Sequence, residues 1–582
     1  MKWHTLGLIY ILILALFATV ARASSVRDEV SLNAGWRFKQ GDTPVGVEKP
    51  GFSDADWETV SVPHTWNRVG YYIPESSRSS NTPENINKVQ GAGWYRLNFT
   101  PPSSFRGKRA WLQFDAASRM AEVWLNGVRL GQHSGGFSRF CLDATEALEL
   151  GKPNLLVVKT DNSNPLAARS PTADVLPLTG DFFVHGGLYR PVSLIATDPI
   201  HLEMLDHGGP GVYASTRTIE GDKAIVAIRA KVRNDGGSRA PIFVEARLVD
   251  ASGQTVARQS SRISLSPGQG STFEQDLVLE QARLWQGVAD PYLYRLIVEL
   301  HDVDEKVVDQ VDQAFGVREM RFDPEKGFFL NGKPYRLKGV GLHQDVEGKG
   351  WAQSEADIAA DVALIREMGA NSIRLTHYQH GQTVHELADR YGLILWDEIP
   401  LVTVWTVARN QVQATPELMA NMRQQLQELI RQNYNHPSVA VWGIANEVDF
   451  GASLPGFLTG NQGRPPDPLP LLRELNTLAK AEDPTRPTVQ ANACEGRLFA
   501  RDVEVPIVAP ETDLSGVNRY FGWYYGDISD LGPHLDGIRE NRPAQPLAVT
   551  EYGAGGAVTM HTDDPLGGPP DSRGRNQPEE YL

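Results

Sequence analysis

Carboxyl side chains set just beyond short apolar runs are the residues of this sequence best placed to do chemistry. Asn446-Glu447 follows the run 439–444, Glu551-Tyr552 follows 547–549, and Asp397-Glu398 follows 393–396. Other polar residues take similar places: His343 and Asp345 after 336–341, Arg374, His377 and Tyr378 in and after 372–375, and Asn518 and Tyr520 within 516–520. Two carboxyls carried by separate strands and facing one cavity, among His, Asn, Tyr and Trp, suit glycoside hydrolysis. One protonates the leaving oxygen while the other attacks the anomeric carbon or activates water. A structural ion pair is the plain alternative for Glu447 and Glu551. The sequence shows no serine nucleophile elbow and no glycine-rich phosphate loop.

Such groups need a scaffold that gathers strand ends. After Phe315 the apolar runs alternate with helical periods: Ile358, Val362 and Ile365 behind Ser354 as N-cap, then stretches near 382–390, 416–433 and 470–482. Apolar strands alternating with helices predict an α/β unit, and this many in series predicts a (β/α)8 TIM barrel with its chemistry at the C-terminal strand ends. Seven strands are counted, at 336–341, 372–375, 393–396, 439–444, 488–491, 516–520 and 547–549. A Gly/Pro-rich tail follows at 564–582. The expectation is a barrel truncated before its eighth strand, in a fragment of a longer protein.

The first half is β-rich. Residues 24–200 hold short strands broken by Gly, Pro, Asn and Asp, with Asn126-Gly127 as a two-residue hairpin signal, and predict a sandwich. Residues 201–314 carry further strands at 224–232, 242–248, 273–279, 294–300 and 306–311, the spacing of an immunoglobulin-like sandwich. Ahead of both, Lys2, an apolar run over 6–20 and Ala21-Arg22-Ala23 read as a signal peptide, 1–23, rather than a membrane anchor. That predicts a periplasmic or secreted protein with no membrane association after cleavage. A net charge of −15 over 582 residues argues against nucleic acid as a partner. Cys141 and Cys494, the two cysteines, form neither a disulfide framework nor a metal knot.

Seven stretches carry a resemblance. NHPSVAVWGIANE (435–447), VTEYGAG (549–555), GVNRYFGWY (516–524), NSIRLTHY (371–378), GVGLHQD (339–345), PHTWN (63–67) and DFFVHGGLYRPVSL (181–194) resemble the retaining β-glycosidases of glycoside hydrolase family 2. The resemblance covers nearly the whole mature chain and implies a jelly-roll sandwich, an immunoglobulin-like sandwich and a catalytic TIM barrel at 315–582. It implies Glu447 as general acid/base and Glu551 as nucleophile, with the two carboxyls about 5–5.5 Å apart as retention requires. Burial and the charge of Glu551 are then expected to keep Glu447 protonated until it acts. By the same resemblance Asn446 bonds the sugar 2-hydroxyl, Tyr520 orients Glu551, and Arg374 holds Glu551 ionised. Asp181, His343, His377, Asn518 and Trp523 are substrate-contacting positions.

Each of these carries a structural alternative: a cation beneath the barrel mouth for Arg374, scaffold hydrogen bonds for His343 and His377, and a loop cap for Asp181. Trp396, Trp442 and Trp523 are faces for stacking on sugar or simply for packing, and Asp397-Glu398 is expected to support the site from behind. Family members that need magnesium carry a further carboxylate and histidine just after the third-strand acidic pair. Here that stretch reads Ile399-Pro400-Leu401-Val402-Thr403, so no metal and no cofactor is expected. HQDVEGKGWA (343–352), LTHYQH (375–380) and WDEIPL (396–401) are most similar to the β-galactosidase branch. The expectation is therefore a β-galactosidase acting on an oligosaccharide or other β-galactoside, with β-glucuronidase as the alternative and a non-catalytic carbohydrate-binding protein as a third reading. A homo-oligomer is compatible with the sequence.

Overall fold

The computed structural model describes residues 26–41, 44–67, 90–180, 182–406, 413–449, 467–493 and 511–554. The signal segment 1–23, Asp181, Cys494 and the tail 564–582 lie outside the described residues.

The first unit packs a four-stranded sheet (Asp28–Ser31, Val192–Thr197, Arg109–Phe114, Phe140–Asp143) on a six-stranded one. Large apolar side chains alternate inward from both faces, and Trp36, Tyr95, Leu112, Phe114, Val123 and Val158 fill the space between them. The predicted hairpin is present: Met120–Leu125 pairs antiparallel with Val128–Ser134, and Asn126 and Gly127 turn the chain at φ 53° and 83°. Both φ values are positive, as a type I′ turn requires.

A second sandwich follows. Its outer sheet runs Thr255–Leu265, Ala240–Val249, Tyr294–His301, Val307–Phe315, and its other sheet is built on Lys223–Asn234. Three strands of this sandwich were absent from the sequence reading, Ile200–Leu202, Thr255–Leu265 and Val212–Glu220. The second, TVARQSSRISL, lies at a sheet edge with most side chains exposed, so it lacks the apolar alternation that marks a half-buried strand.

The remaining residues form seven parallel strands in chain order: β1 Gly339–Leu342, β2 Ser372–Leu375, β3 Ile394–Glu398, β4 Val439–Asn446, β5 Thr488–Asn492, β6 Leu514–Asn518 and β7 Leu547–Glu551. Helices α1 Glu355–Glu367, α2 Gln382–Tyr391, α3 Pro416–Asn433, α4 Leu469–Glu482 and α5 Leu531–Asn541 alternate with them. Local chemistry sets several of their ends. Ser354 and Asp357 cap α1 reciprocally, Thr415 accepts from Leu418 N ahead of Pro416 on α3, and Gly392 closes α2 at φ 77°. Helix α5 was not anticipated. Its sequence LGPHLDGIREN contains two glycines and a proline and buries only Ile538, so it has no apolar stripe to read.

The sheet curls into a nearly closed barrel, because Arg374 on β2 reaches Glu551 on β7 directly. Strand β4 is buried along its whole length. Leu395, Trp442 and Ile444 pack outward against Leu426, Leu429 and Leu475 of the helices, while the hairpin at 320–330 covers the N-terminal mouth with Phe328 and Leu330. Helix α3 also holds the sandwiches in place. His133 meets Glu428 at 2.8 Å, Asn421 Nδ2 donates to Ser134 O, Gln432 Nε2 donates to Arg139 O, and Arg431 pairs with Asp206. That explains its many buried polar side chains, which find partners in other units rather than in water.

Candidate active site

The C-terminal end of the strand barrel gathers the predicted groups. Strand side chains alternate between faces, so of the pair on β3 only one enters the site. Glu398 points into the lumen. Asp397 points outward to His385 of α2, which it meets at 2.8 Å. At position 443 on β4 a Cβ would lie 2.5 Å from Glu398 Cβ, so glycine there lets β3 and β4 carry Glu398 at this depth.

Arg374 is the hub. Its guanidinium is buried and donates to Glu398 twice (Nε to Oε2, 2.9 Å; Nη2 to Oε1, 3.1 Å), to Glu551 Oε1 at 2.7 Å and to Asn446 Oδ1 at 2.9 Å. Burial by itself would depress its pKa. The charges of Glu398 and Glu551 outweigh that and leave it raised. Burial likewise opposes ionisation of Glu398, and the Arg374 charge with the His377 hydrogen bond overcomes it, leaving the carboxyl below its usual range.

Glu551 ends β7 and is gripped from both sides. Arg374 holds Oε1, and the Tyr520 hydroxyl donates to Oε2 at 2.7 Å. Burial, then the Glu551 charge, raises the Tyr520 pKa well above that of a free phenol, so Tyr520 stays a donor. His377 lies between two carboxylates, Nδ1 at 2.6 Å from Glu398 Oε1 and Nε2 at 3.5 Å from Glu551 Oε1.

Glu447 follows β4 at a left-handed φ of 55°, a conformation costing about 1 kcal/mol or more for a residue with a Cβ. The turn brings its carboxyl to Asn518 of β6, whose Nδ2 donates to Glu447 Oε1 at 2.9 Å and to Asn446 Oδ1 at 3.2 Å. Thr550 holds Asn518 in turn, donating to its Oδ1 at 2.6 Å. Asn446 Oδ1 accepts from both Arg374 and Asn518, so the amide is oriented with its NH2 as the donor left for a substrate oxygen. Glu447 and Glu551 thus sit at one mouth, linked through Asn518, Asn446 and Arg374, and both charges act on Tyr520.

The other predicted positions divide. His343 hydrogen-bonds the Tyr378 hydroxyl through Nδ1 at 3.0 Å, and its ring lies 5.4 Å from Phe182 of the first sandwich, which also flanks His377. Trp396 lines the lumen beneath Arg374, 5.6 Å from the guanidinium. Trp523 is buried against Tyr524, which packs on Tyr520, and so supports the mouth through rings. Trp442 is not a site residue: it points outward on β4 and donates Nε1 to Asp483 at 3.0 Å. Tyr552 is 70% exposed just past Glu551. Asp345 lies beyond β1 near His185 of the first sandwich (3.7 Å), and burial pushes its carboxyl up to about 6. Sequence reasoning missed Phe182 and Thr550, whereas Glu398 takes the supporting place expected of the Asp397-Glu398 pair and Asp397 faces away from the site.

Among the described residues, the His/Asp/Glu grouping close enough to chelate an ion is Glu245, Glu299 and His301 on the second sandwich. Its two carboxylates are already paired with Arg258 and Arg247.

Comparison with known proteins accounts for this arrangement. Residues 30–198 match the sugar binding domain of glycosyl hydrolases family 2, 211–318 match glycosyl hydrolases family 2, and 324–563 match its TIM barrel domain. A beta-glucuronidase of Bacteroides fragilis is 33% identical over 568 residues, 96% of this chain and 73% of the relative. The chain belongs to glycosyl hydrolases family 2. A beta-galactosidase of Bacteroides ovatus is 28% identical over 90% of this chain and 59% of its own length. Among solved structures of the family, Bacteroides uniformis beta-glucuronidase 2, covalently bound to cyclophellitol-6-carboxylate aziridine, superposes with a TM-score of 0.80 at 31% identity, covering 93% of this chain and 61% of that one. The chain therefore spans about three fifths of the length of two of these relatives and nearly three quarters of the third.

Proposed function

We propose that this family 2 chain is a retaining exo-β-glycosidase that hydrolyses terminal β-D-glucuronides, with Glu551 as nucleophile and Glu447 as general acid/base. The observation that carries the mechanism is the two-sided grip on Glu551: a guanidinium on one oxygen and a phenol on the other hold it aimed, with Glu447 facing the same mouth. In the first step Glu447 gives its proton to the glycosidic oxygen, the C1–O bond breaks, and Glu551 forms an ester to C1. The negative charge of Glu551 is then gone, and Glu447 takes a proton from water as that water attacks C1 and releases Glu551. Asn446 offers its NH2 to a sugar hydroxyl, and Phe182 with His343 forms one wall.

Glucuronide is preferred over the galactoside expected from the 343–352, 375–380 and 396–401 stretches. The 33% identical relative is a beta-glucuronidase, and the 31% identical solved enzyme carries a carboxylated covalent ligand. A β-galactoside remains the second reading, favoured by the Bacteroides ovatus relative. Release of nitrophenol from β-glucuronide, β-galactoside, β-glucoside and β-mannoside separates the two, with Glu551→Gln as control. Glucuronide turnover that vanishes in the variant is the expected result. Galactoside turnover alone overturns the choice of sugar, and turnover unaffected by Glu551→Gln overturns the mechanism.

A further inference from the structure

At the opposite end of the barrel from Glu551, a cleft opens between the second sandwich and the entrance to β4. Ser215, Thr216, Gly316, Arg318, Pro437 and Arg486 line it, and it encloses about 290 Å3 counted out to its mouth. Only about 20 Å3 of that is enclosed, little more than the ~10–15 Å3 that holds one water, so the cleft admits the oxygens of a small ion and no saccharide. Its lining holds two guanidinium groups and no carboxyl. The eight residues of β4, ~26 Å at ~3.3 Å per residue, separate it from Glu447. It is therefore no part of the sugar site.

The two arginines differ. Arg486 pairs with Asp483 at 2.7 Å and donates to the carbonyls of Tyr434, His436 and Val439. Arg318 donates Nε to Pro437 O at 3.1 Å and Nη2 to Val439 O at 2.9 Å. Among the described residues no carboxylate lies within ion-pair reach of Arg318, and its Nη1 has no acceptor. Burial, reinforced by the charge of Arg486, pushes its pKa down to about 9, the mark of a cation short of a counter-charge. Beside it, Thr216 Oγ1 accepts from Arg318 N at 3.3 Å, which leaves the hydroxyl proton free to donate.

We propose that this cleft is a small-oxyanion site, in which Arg318 Nη1 and the Thr216 hydroxyl bind the oxygens of an inorganic phosphate, a sulfate or a free carboxylate. Bound there, the anion ties the second sandwich, through Thr216, to the barrel loops that carry Pro437 and Arg486. A ligand that binds the folded state alone raises stability by RT ln(1 + [L]/Kd), so occupancy is readable as a saturable rise in thermal midpoint.

The test titrates the full chain with inorganic phosphate, and in a separate arm with acetate, against chloride at matched ionic strength. Binding is followed by 31P line broadening for phosphate and by thermal midpoint for both. Saturable binding of one phosphate or one acetate per chain, lost in Arg318→Gln, supports the site, and the arm that saturates identifies the chemistry. Thr216→Glu supplies a tethered carboxylate: it should raise the midpoint without added anion, abolish the response to added anion and leave aryl-glycoside turnover unchanged. This second variant decides the matter if Arg318→Gln does not fold. No saturable binding to the parent chain overturns the proposal, as does binding that survives both substitutions. Competitive inhibition of aryl-glycoside turnover by phosphate at the same half-saturating concentration also overturns it, because that places the anion at the sugar site.

Discussion

Removing one oxygen tests whether Tyr520 serves Glu551 or merely packs beside it. In Tyr520→Phe the ring keeps its neighbour Tyr524, with centroids 5.0 Å apart, so no cavity opens. The change deletes a 2.7 Å hydrogen bond to Glu551 Oε2 and leaves the carboxylate anchored through Oε1 alone. A hydrogen bond to an ionised partner contributes about 1.5–3 kcal/mol, and 1.36 kcal/mol is tenfold in rate. The expected loss in kcat/KM is therefore roughly ten- to 150-fold, towards the lower end because Tyr520 is only partly buried. In the proposed mechanism Glu551 is the attacking group in the first step and the leaving group in the second. The loss should therefore persist across aryl substrates of differing leaving-group quality, and the thermal midpoint should not move. Continuous release of nitrophenol, with a thermal melt of each protein, measures both. A loss below about threefold, under 0.7 kcal/mol, refutes the orienting role. So does a loss that tracks a fall in midpoint.

Glu447→Ala should lower turnover by about 10²- to 10⁴-fold, and azide should restore product formation as a β-glycosyl azide, because a small anion needs no general base. A variant indifferent to azide counts against the acid/base assignment. Asp345 has a folded pKa of about 6 against an ordinary 3.8, so the folded state holds its proton more tightly and stability falls as pH rises from about 3.8 to about 6. Asp345→Asn should accordingly gain up to about 3 kcal/mol at pH 7.5 and almost nothing at pH 3.5, and equal urea midpoint shifts at the two pH values would exclude this. Gly443→Ala places a Cβ 2.5 Å from Glu398 Cβ and should cost about 1–3 kcal/mol in urea unfolding with a parallel loss of activity; an unchanged midpoint would show that β3 and β4 can separate freely.

Much of the architecture was legible because the barrel strands are continuous apolar runs. Residues 439–444 can hardly be anything but a buried strand, and a strand buried on both faces implies helices around it. The polar residues at the ends of such runs were legible for the same reason, since they break an otherwise apolar pattern. What could not be read was direction. Asp397-Glu398 announces an acidic pair, but period two says only that the two face opposite ways, not which one enters the lumen. Trp442 looked as available for sugar as Trp396, and only the packing of α4 and Asp483 shows that it turns outward. Contacts between units were equally silent. Nothing local marks Phe182 as a neighbour of His343 and His377, or explains the buried polar face of α3 before the sandwiches are docked on it. Strand bounds slipped for a simpler reason. The first barrel strand begins at Gly339, not 336, and the sixth ends at Asn518, so Tyr520 reaches Glu551 from a loop.

The arrangement around Arg374 also explains why Glu398 belongs to the site. A guanidinium bonded only to Glu551 would form a tight ion pair, and a carboxylate so neutralised is a weak nucleophile. Here the same cation donates twice to Glu398 and once to Asn446 before it reaches Glu551. Those bonds fix the plane of the guanidinium, because a planar fork with partners on two edges cannot rotate. They also divide its charge between two carboxylates, so Glu551 is oriented without being fully compensated. His377, bonded to Glu398 at 2.6 Å and 3.5 Å from Glu551, stands between the same pair. Glu398 touches Arg374 and His377, and under the proposed mechanism it would act through them rather than on substrate, setting the reactivity of Glu551 from a neighbouring strand.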